Sequence, residues 1–268
     1  MHLLAQKIGI IGGGNMARSL VGGLMARGVA PDLITVAEPI EAARRALEER
    51  WHVRTSDDNQ AAVRGAAVIV FAVKPQYLRA VAIETAGAVA LSIAAGIRVA
   101  DLRRWLGAGV PIVRSMPNRP ALIGRGVSAL YADPAVEESA RAAAESILAA
   151  VGSTLWVEQE SMIDAVTAVS GSGPAYFFLL MELLEAAARD LGLAADTARE
   201  LAIETAYGAA CMAHARIDDP ASLREQVTSR GGTTAAALAV FAQADLAGIV
   251  RRAVAAAARR SAELAAAH

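Results

Sequence analysis

The sequence predicts an α/β fold in which a doubly wound parallel sheet is followed by an all-α domain, and three observations carry that prediction. Short β-branched runs alternate with helical stretches from the N-terminus to about Val157, the pattern of a sheet covered by helices. From Ser161 to His268 the chain reads almost entirely as helix. At the start of the first part, the strand at Ile8 to Ile11 runs straight into three glycines and a helix. The predicted domains are residues 1–158 and 159–268.

Composition narrows the partners. The chain has 268 residues, enough for two domains with separate cores. A net charge of -1 offers no electrostatic case for nucleic acid or an anionic membrane. The longest apolar runs, Ala66 to Val73 and Ala86 to Ile97, fall short of the ~20 residues a spanning helix needs. No basic stretch precedes an apolar one at the N-terminus, so no export signal is read. Cys211 stands alone, which excludes an internal disulfide, and His2, His52, His214 and His268 lack the spacing of metal ligands. The expectation is a cytoplasmic protein with no metal, no nucleic acid and no membrane.

In chain order, Ile8, Ile10 and Ile11 suit a buried parallel strand. Gly12, Gly13 and Gly14 allow a sharp turn, and Asn15 and Met16 open an amphipathic helix. Gly12-x-Gly14-x-x-Ala17 is the dinucleotide fingerprint, in which bare N–H groups and the positive helix end face a pyrophosphate. The plain alternative is a tight strand-to-helix turn. A second strand, Leu33 to Ala37, favours the nucleotide reading because it ends in Glu38, about 20 residues on, where a ribose hydroxyl is held. This makes the first domain Rossmann-type.

A helix follows at Ile40 to Arg50, then a short strand near Val53 and a polar turn from Thr55 to Gln60. Ala67 to Val73 is the next strand, and Pro75 takes the chain out of the sheet. Lys74 therefore stands at a strand exit, the ligand side of an open α/β sheet, against the alternative of a solvated surface lysine. Val89 to Ile93 is a strand followed by the small turn Ala94-Ala95-Gly96. Val110 to Arg114 runs into Ser115-Met116-Pro117-Asn118. Strands at Gly126 to Tyr131 and Ser153 to Val157 flank an alanine-rich helix, Pro134 to Ala150.

In the helical part, Met162 to Leu191 is long and apolar, interrupted at Ser170 to Pro174, and Thr197 to Ala215 and Gly232 to His268 supply further helices. Residues 175–184, AYFFLLMELL, are too uniformly apolar for a small domain to hide, so a subunit interface must cover them. Two loops carry chemistry. One is Ser170 to Tyr176; the other, Val227 to Thr234, sets Gly231 and Gly232 before Thr233 and Thr234, an anion nest of N–H donors and hydroxyls or else an ordinary helix cap.

Nearly the whole chain resembles the pyrroline-5-carboxylate reductase family, the last enzymes of proline biosynthesis. IGGGNMA, AVKPQ, SIAAGI, RSMPN, DAVTAVSGSGPAYFF and LREQVTSRGGTTAAAL occur in the family's order. The resemblance implies an all-α C-terminal dimerisation and substrate-binding domain. It implies that NADPH or NADH is held by Gly12, Gly13, Gly14, Asn15, Met16, Ala17, Asn59, Ala72, Val73, Lys74, Pro75, Ala94, Ala95 and Gly96, to which the strand-end reading adds Glu38. Gln226 would reach the cofactor of the partner subunit. Glu160, Ser229, Gly231, Gly232, Thr233 and Thr234 would contact the imine. The implied assembly is a homodimer, with a pentamer of dimers as its extension, in which one subunit's nucleotide domain meets the partner's helical domain. Four features depart from the family pattern: Arg119 replaces its usual Thr, Arg230 its usual Pro and Ala242 its usual acid, and the stretch from Lys74 to Ser92 is short.

The implied reaction is hydride transfer to the imine carbon of a cyclic imine bearing a carboxylate, the carbon that becomes C5 of proline, for which the protein must orient rings and exclude water. Thr234 is the candidate for a hydrogen bond to the ring nitrogen, and no general acid is evident. The enzyme rival is a 3-hydroxy acid dehydrogenase of similar layout. Such enzymes move the alcohol proton with a lysine in the helical domain, and no lysine follows Lys74. A non-catalytic nucleotide-sensing protein is the second rival.

Overall fold

A computed structural model describes residues 6–81, 83–215 and 218–266; His2 and His268 lie outside them. Eight strands form one sheet: β1 (Ile8–Ile11), β2 (Ile34–Ala37), β3 (Arg54–Ser56), β4 (Val68–Phe71), β5 (Val89–Ser92), β6 (Ile112–Met116), β7 (Gly126–Ala132) and β8 (Gly152–Trp156), in the order β3-β2-β1-β4-β5-β6-β7-β8. The chain reverses its strand order between β1 and β4, which makes β1 the switch point of the sheet. Every pairing is parallel except β6 with β7.

Alternation along the strands divides the core between the two faces. Ile8, Ile10, Val68, Val70 and Leu91 pack with Leu20 and Leu24 of α1 (Asn15–Ala26) and with Ile147 and Leu148 of α6 (Glu138–Ala149). Ile11, Ile69, Phe71 and Ala90 pack on the other face with Leu102 of α5 (Val99–Leu106). The connecting helices α2 (Glu41–Trp51), α3 (Asn59–Val63) and α4 (Pro75–Leu78) are short.

Several elements differ from the sequence reading. Leu33 belongs to a 3-10 turn, Pro31–Leu33, so β2 begins one residue later. The polar turn predicted for Thr55 to Gln60 shrinks to its middle: Thr55 and Ser56 belong to β3, and Asn59 and Gln60 open α3, where the Asp58 side chain accepts the Gln60 amide at 2.8 Å and caps the helix. α5 and α10 (Pro220–Gln226) are helices that the reading passed over. The break expected at Ser170 to Pro174 is a π-helical turn, Thr167–Gly171, which carries α7 (Met162–Val166) into α8 (Gly173–Asp190).

The chain divides into two compact units, residues 1–172 with 257–268, and residues 173–256. In the second, α8 packs on α9 (Ala195–His214), and α11 (Thr233–Gln243) leads to α12 (Leu246–Ala266), whose last turns belong to the first unit. There Ser261 Oγ donates to Asp164 Oδ1 at 2.7 Å. The apolar face of α8 stands in water in the single chain, with Phe177 66% and Phe178 60% exposed. Residues Met162–Asp190 together are long and apolar enough to cross a membrane. This corrects the run-length argument, since Glu182 and Glu185 interrupt the run without lowering its average hydropathy below that of a span.

Candidate functional site

The register of the sheet gathers the first group of candidate residues. Ser56, Ala37, Ile11, Phe71, Ser92 and Arg114 are successive partners across six neighbouring parallel strands. Just beyond this row the chain leaves the sheet through Gly12–Gly14, Glu38, Ala72–Pro75 and Ala94–Gly96, so these segments share one rim. Sequence placed each segment at a strand exit, and the shared register brings the exits together.

At Gly12 the backbone has φ +99°, and an added Cβ would lie 2.9 Å from the Ala72 carbonyl oxygen. The adjacent Gly13 amide donates to Glu38 Oε2 at 2.9 Å, while Ile40 N–H donates to Glu38 Oε1 at 3.0 Å. Each Glu38 oxygen retains a second lone pair for a ribose hydroxyl. No side chain caps the N-terminus of α1, and Gly14 and Asn15 are exposed there. The first N–H groups of this helix are therefore open to an anion. Met16 is half-buried, and Ala17 is fully buried against the sheet, so its small size serves helix–strand packing. Arg18 Nε and Arg44 Nη1 hold the carbonyls of Gly13 (3.0 Å) and Glu38 (2.7 Å).

Along the same rim, Ala72, Val73 and Pro75 are half-buried and Lys74 is exposed at the N-cap of α4. Ala95 is exposed and Gly96 buried, with φ +75°. Asn59, half-buried, is the first residue of α3.

Glu160 is held from two sides: its Oε1 accepts the Val99 amide and Arg114 Nη1, each at 2.8 Å. Sequence reading named Glu160 but passed over Arg114, an arginine that follows the apolar Ile112 and Val113 in a strand; a buried cation demands a partner, and that was the available signal. Nearby, Asn118 Nδ2 donates to the Ser170 carbonyl at 3.1 Å and Asn118 Oδ1 accepts the Val127 amide at 2.9 Å, tying the RSMPN stretch to the π turn. Tyr131, opposite Arg114 on β7, has its phenol pushed above the usual range by burial and then by its bond to Asp133, with Asp133 and Glu160 charges adding and Arg103 opposing. It remains a donor at neutral pH.

The second group lies in the 173–256 unit. Gly231 has φ +69°, Gly232 N–H donates to the Ser229 carbonyl at 3.1 Å, and Gly232 is the N-cap of α11 without a side-chain cap. Ser229, Gly231 and Thr233 are exposed, whereas Gly232 and Thr234 are half-buried. Gln226 ends α10, its Nε2 donating to Asp218 Oδ2 at 2.6 Å. Asp219 caps the start of α10; its carboxyl sits below the usual range through its bond from the Ser222 hydroxyl and then the Ser222 and Ala221 amides. Among the described residues, no group of three or more His, Cys, Asp or Glu side chains is arranged to hold a metal ion.

Comparison with known proteins identifies what the chain is similar to. Residues 160–264 match the family model described as pyrroline-5-carboxylate reductase dimerisation, and residues 7–96 match that described as NADP oxidoreductase, coenzyme F420-dependent. A pyrroline-5-carboxylate reductase of Pseudomonas aeruginosa is 46% identical over 264 residues, covering 97% of both chains. The structure of a pyrroline-5-carboxylate reductase from Coxiella burnetii superposes with a TM-score of 0.93 at 39% identity, over 97% of this chain and 98% of that one. A pyrroline carboxylate reductase of Plasmodium falciparum, solved with NADP bound, superposes with a TM-score of 0.85 at 26% identity, over 97% and 98%.

Proposed function

The chain belongs to the pyrroline-5-carboxylate reductase family, and from that premise we propose which of its residues do the work. The reaction is reduction of the cyclic imine 1-pyrroline-5-carboxylate to proline, with NADPH or NADH as reductant. The bound nicotinamide supplies the hydride that adds to the imine carbon, the atom that becomes C5 of proline. The protein binds, orients and shields.

One observation supports the placement above others: Gly12–Gly14 lead into an α1 N-terminus that no side chain caps, at the switch point of the sheet. Gly14, Asn15, Met16 and Ala17 turn the positive helix end towards the pyrophosphate. Glu38 takes the adenosine ribose, with Asn59 beside it. Ala72–Pro75, Ala95 and Gly96 follow the rest of the dinucleotide along the rim. The amides of Gly231 and Thr233, with Ser229 and the Gly232 backbone that sets the turn, hold the substrate carboxylate, and Thr234 Oγ1 bonds the ring nitrogen. Glu160 faces the positive end of the imine. Gln226 reaches the cofactor of the partner subunit, so that each nucleotide domain works with the partner's nest.

The exposed apolar face of α8 belongs to the self-association that the dimerisation domain confers, and pairing of two copies covers it in place of a membrane. A pentamer of dimers, a cytoplasmic location and freedom from nucleic acid complete the proposal. The test is to incubate the purified protein with NADPH and the imine and identify the product by mass spectrometry. Proline formed only when both are present supports the reading; nicotinamide oxidation without proline contradicts it.

A further inference from the structure

Arg114 is 2% exposed, and its Nε is enclosed without an acceptor among the described residues. A buried ion pair is weak evidence of a stabilising role, since apolar residues of similar size in place of both partners are often neutral or stabilising. Among the described residues its ion pair reaches Glu160, and the two bonds to that carboxylate, from Arg114 and from the Val99 amide, fall on Oε1. Glu160 is thereby fixed in rotation, with Oε2 as the oxygen left to meet anything else.

The place of this pair in the sheet decides what that is. Glu38 at the end of β2 marks the adenosine side of the rim, and Gly12–Gly14 after β1 mark the pyrophosphate. A dinucleotide laid in that order extends its nicotinamide half towards β4, β5 and β6. Arg114 stands in the same register row as Ile11, three strand steps away, about 14 Å at the usual strand spacing. That is the end of the rim at which the reacting imine must sit.

Resting on the imine-reductase reading above, we infer that Arg114 is a positioning residue for the substrate, holding Glu160 with Oε2 turned towards the cationic end of the imine. Glu160 then presents a fixed carboxylate of opposite charge to the nitrogen end of the substrate. The field at the nitrogen is set before the substrate arrives.

The experiment compares wild type with Arg114→Lys, Arg114→Met and Glu160→Gln, and with the Arg114→Met, Glu160→Gln double variant, all as full chains. Two readouts are taken: KM for the imine and for NADPH, and calorimetric Kd for L-proline and for NADPH. Arg114→Met and Glu160→Gln are each expected to raise the imine KM and the proline Kd about tenfold to a hundredfold, the range for a hydrogen bond to a charged group. NADPH values stay within about twofold, Arg114→Lys recovers part of the loss, and the double variant is no worse than the poorer single one because the two residues act as a unit. A folded Arg114→Met protein with wild-type values for imine and proline overturns the inference, as does an equal loss in NADPH binding. Should Arg114→Met fail to fold, Glu160→Gln, which keeps the shape of the side chain, decides by the same measures. A wild-type protein that binds NADPH but leaves the imine unreduced defeats the reading beneath, and is recognised because no substitution is involved.

Discussion

The Gly13 amide and the Glu38 carboxylate are joined by a 2.9 Å hydrogen bond that ties the end of β2 to the turn after β1. Glu38 thus braces the loop and confronts the ribose with one side chain. Its negative charge opposes a 2′-phosphate. Glu38→Ser is expected to lower efficiency with both cofactors, because the Gly13 and Ile40 amides lose their acceptor, and to shift the ratio towards NADPH by about tenfold, the effect of ~1.4 kcal/mol. Steady-state kinetics with each cofactor measure this; an unmoved ratio, or one moved towards NADH, removes Glu38 from cofactor choice.

Gly12 cannot carry a side chain cheaply. A Cβ would be pressed against the Ala72 carbonyl at a backbone angle that L-residues rarely adopt. Gly12→Ala should cost about 1–3 kcal/mol of strain and displace the loop from its anion. Calorimetry is expected to show at least tenfold weaker NADPH binding (~1.4 kcal/mol) together with a lower melting temperature. Wild-type affinity would mean that the loop does not hold the pyrophosphate.

Thr234 is half-buried in the first turn of α11, beside the Gly231–Gly232 amides. Thr234→Val keeps the shape and removes the hydroxyl. A hydrogen bond to a charged ring nitrogen is worth ~1.5–3 kcal/mol, so kcat/KM for the imine should fall roughly tenfold to a hundredfold in a folded protein. Unchanged kinetics would exclude Thr234 from the reaction.

On α8, Phe177 is large and stands in water in the single chain. Covering such a ring contributes about 1.5–3 kcal/mol, and a carboxylate in its place would have to be buried. Phe177→Asp is expected to halve the particle mass seen by sedimentation at micromolar protein. A variant of unaltered mass would place the subunit contact elsewhere.

Much of the nucleotide half was legible because apolar runs and punctuation agree there. The β-branched run Ile8 to Ile11 ends at glycines and the run Val68 to Phe71 ends near Pro75, so both strand exits could be located from residue type alone. The reversal at β7 was not read, although residues 117–125 are too few for the dozen or so that a parallel crossover needs. α10 was missed although Asp219-Pro220 is a helix-start signal. The Arg114–Glu160 pair spans 46 positions, and neither residue's surroundings name the other; the pairing of β6 with β7 and of β7 with β8 carries the chain back to Arg114 before Glu160 follows β8. α8 was legible in the opposite sense: its sequence is too apolar for the unit that contains it, and the structure leaves that face bare.

Hydride transfer to the imine carbon is tested most directly with NADPH carrying deuterium at both C4 positions. Turnover with unlabelled 1-pyrroline-5-carboxylate should give proline with one deuterium at C5 and none elsewhere, each molecule matched by one oxidised nicotinamide. Proline without deuterium, or nicotinamide oxidised with no proline formed, would contradict the account.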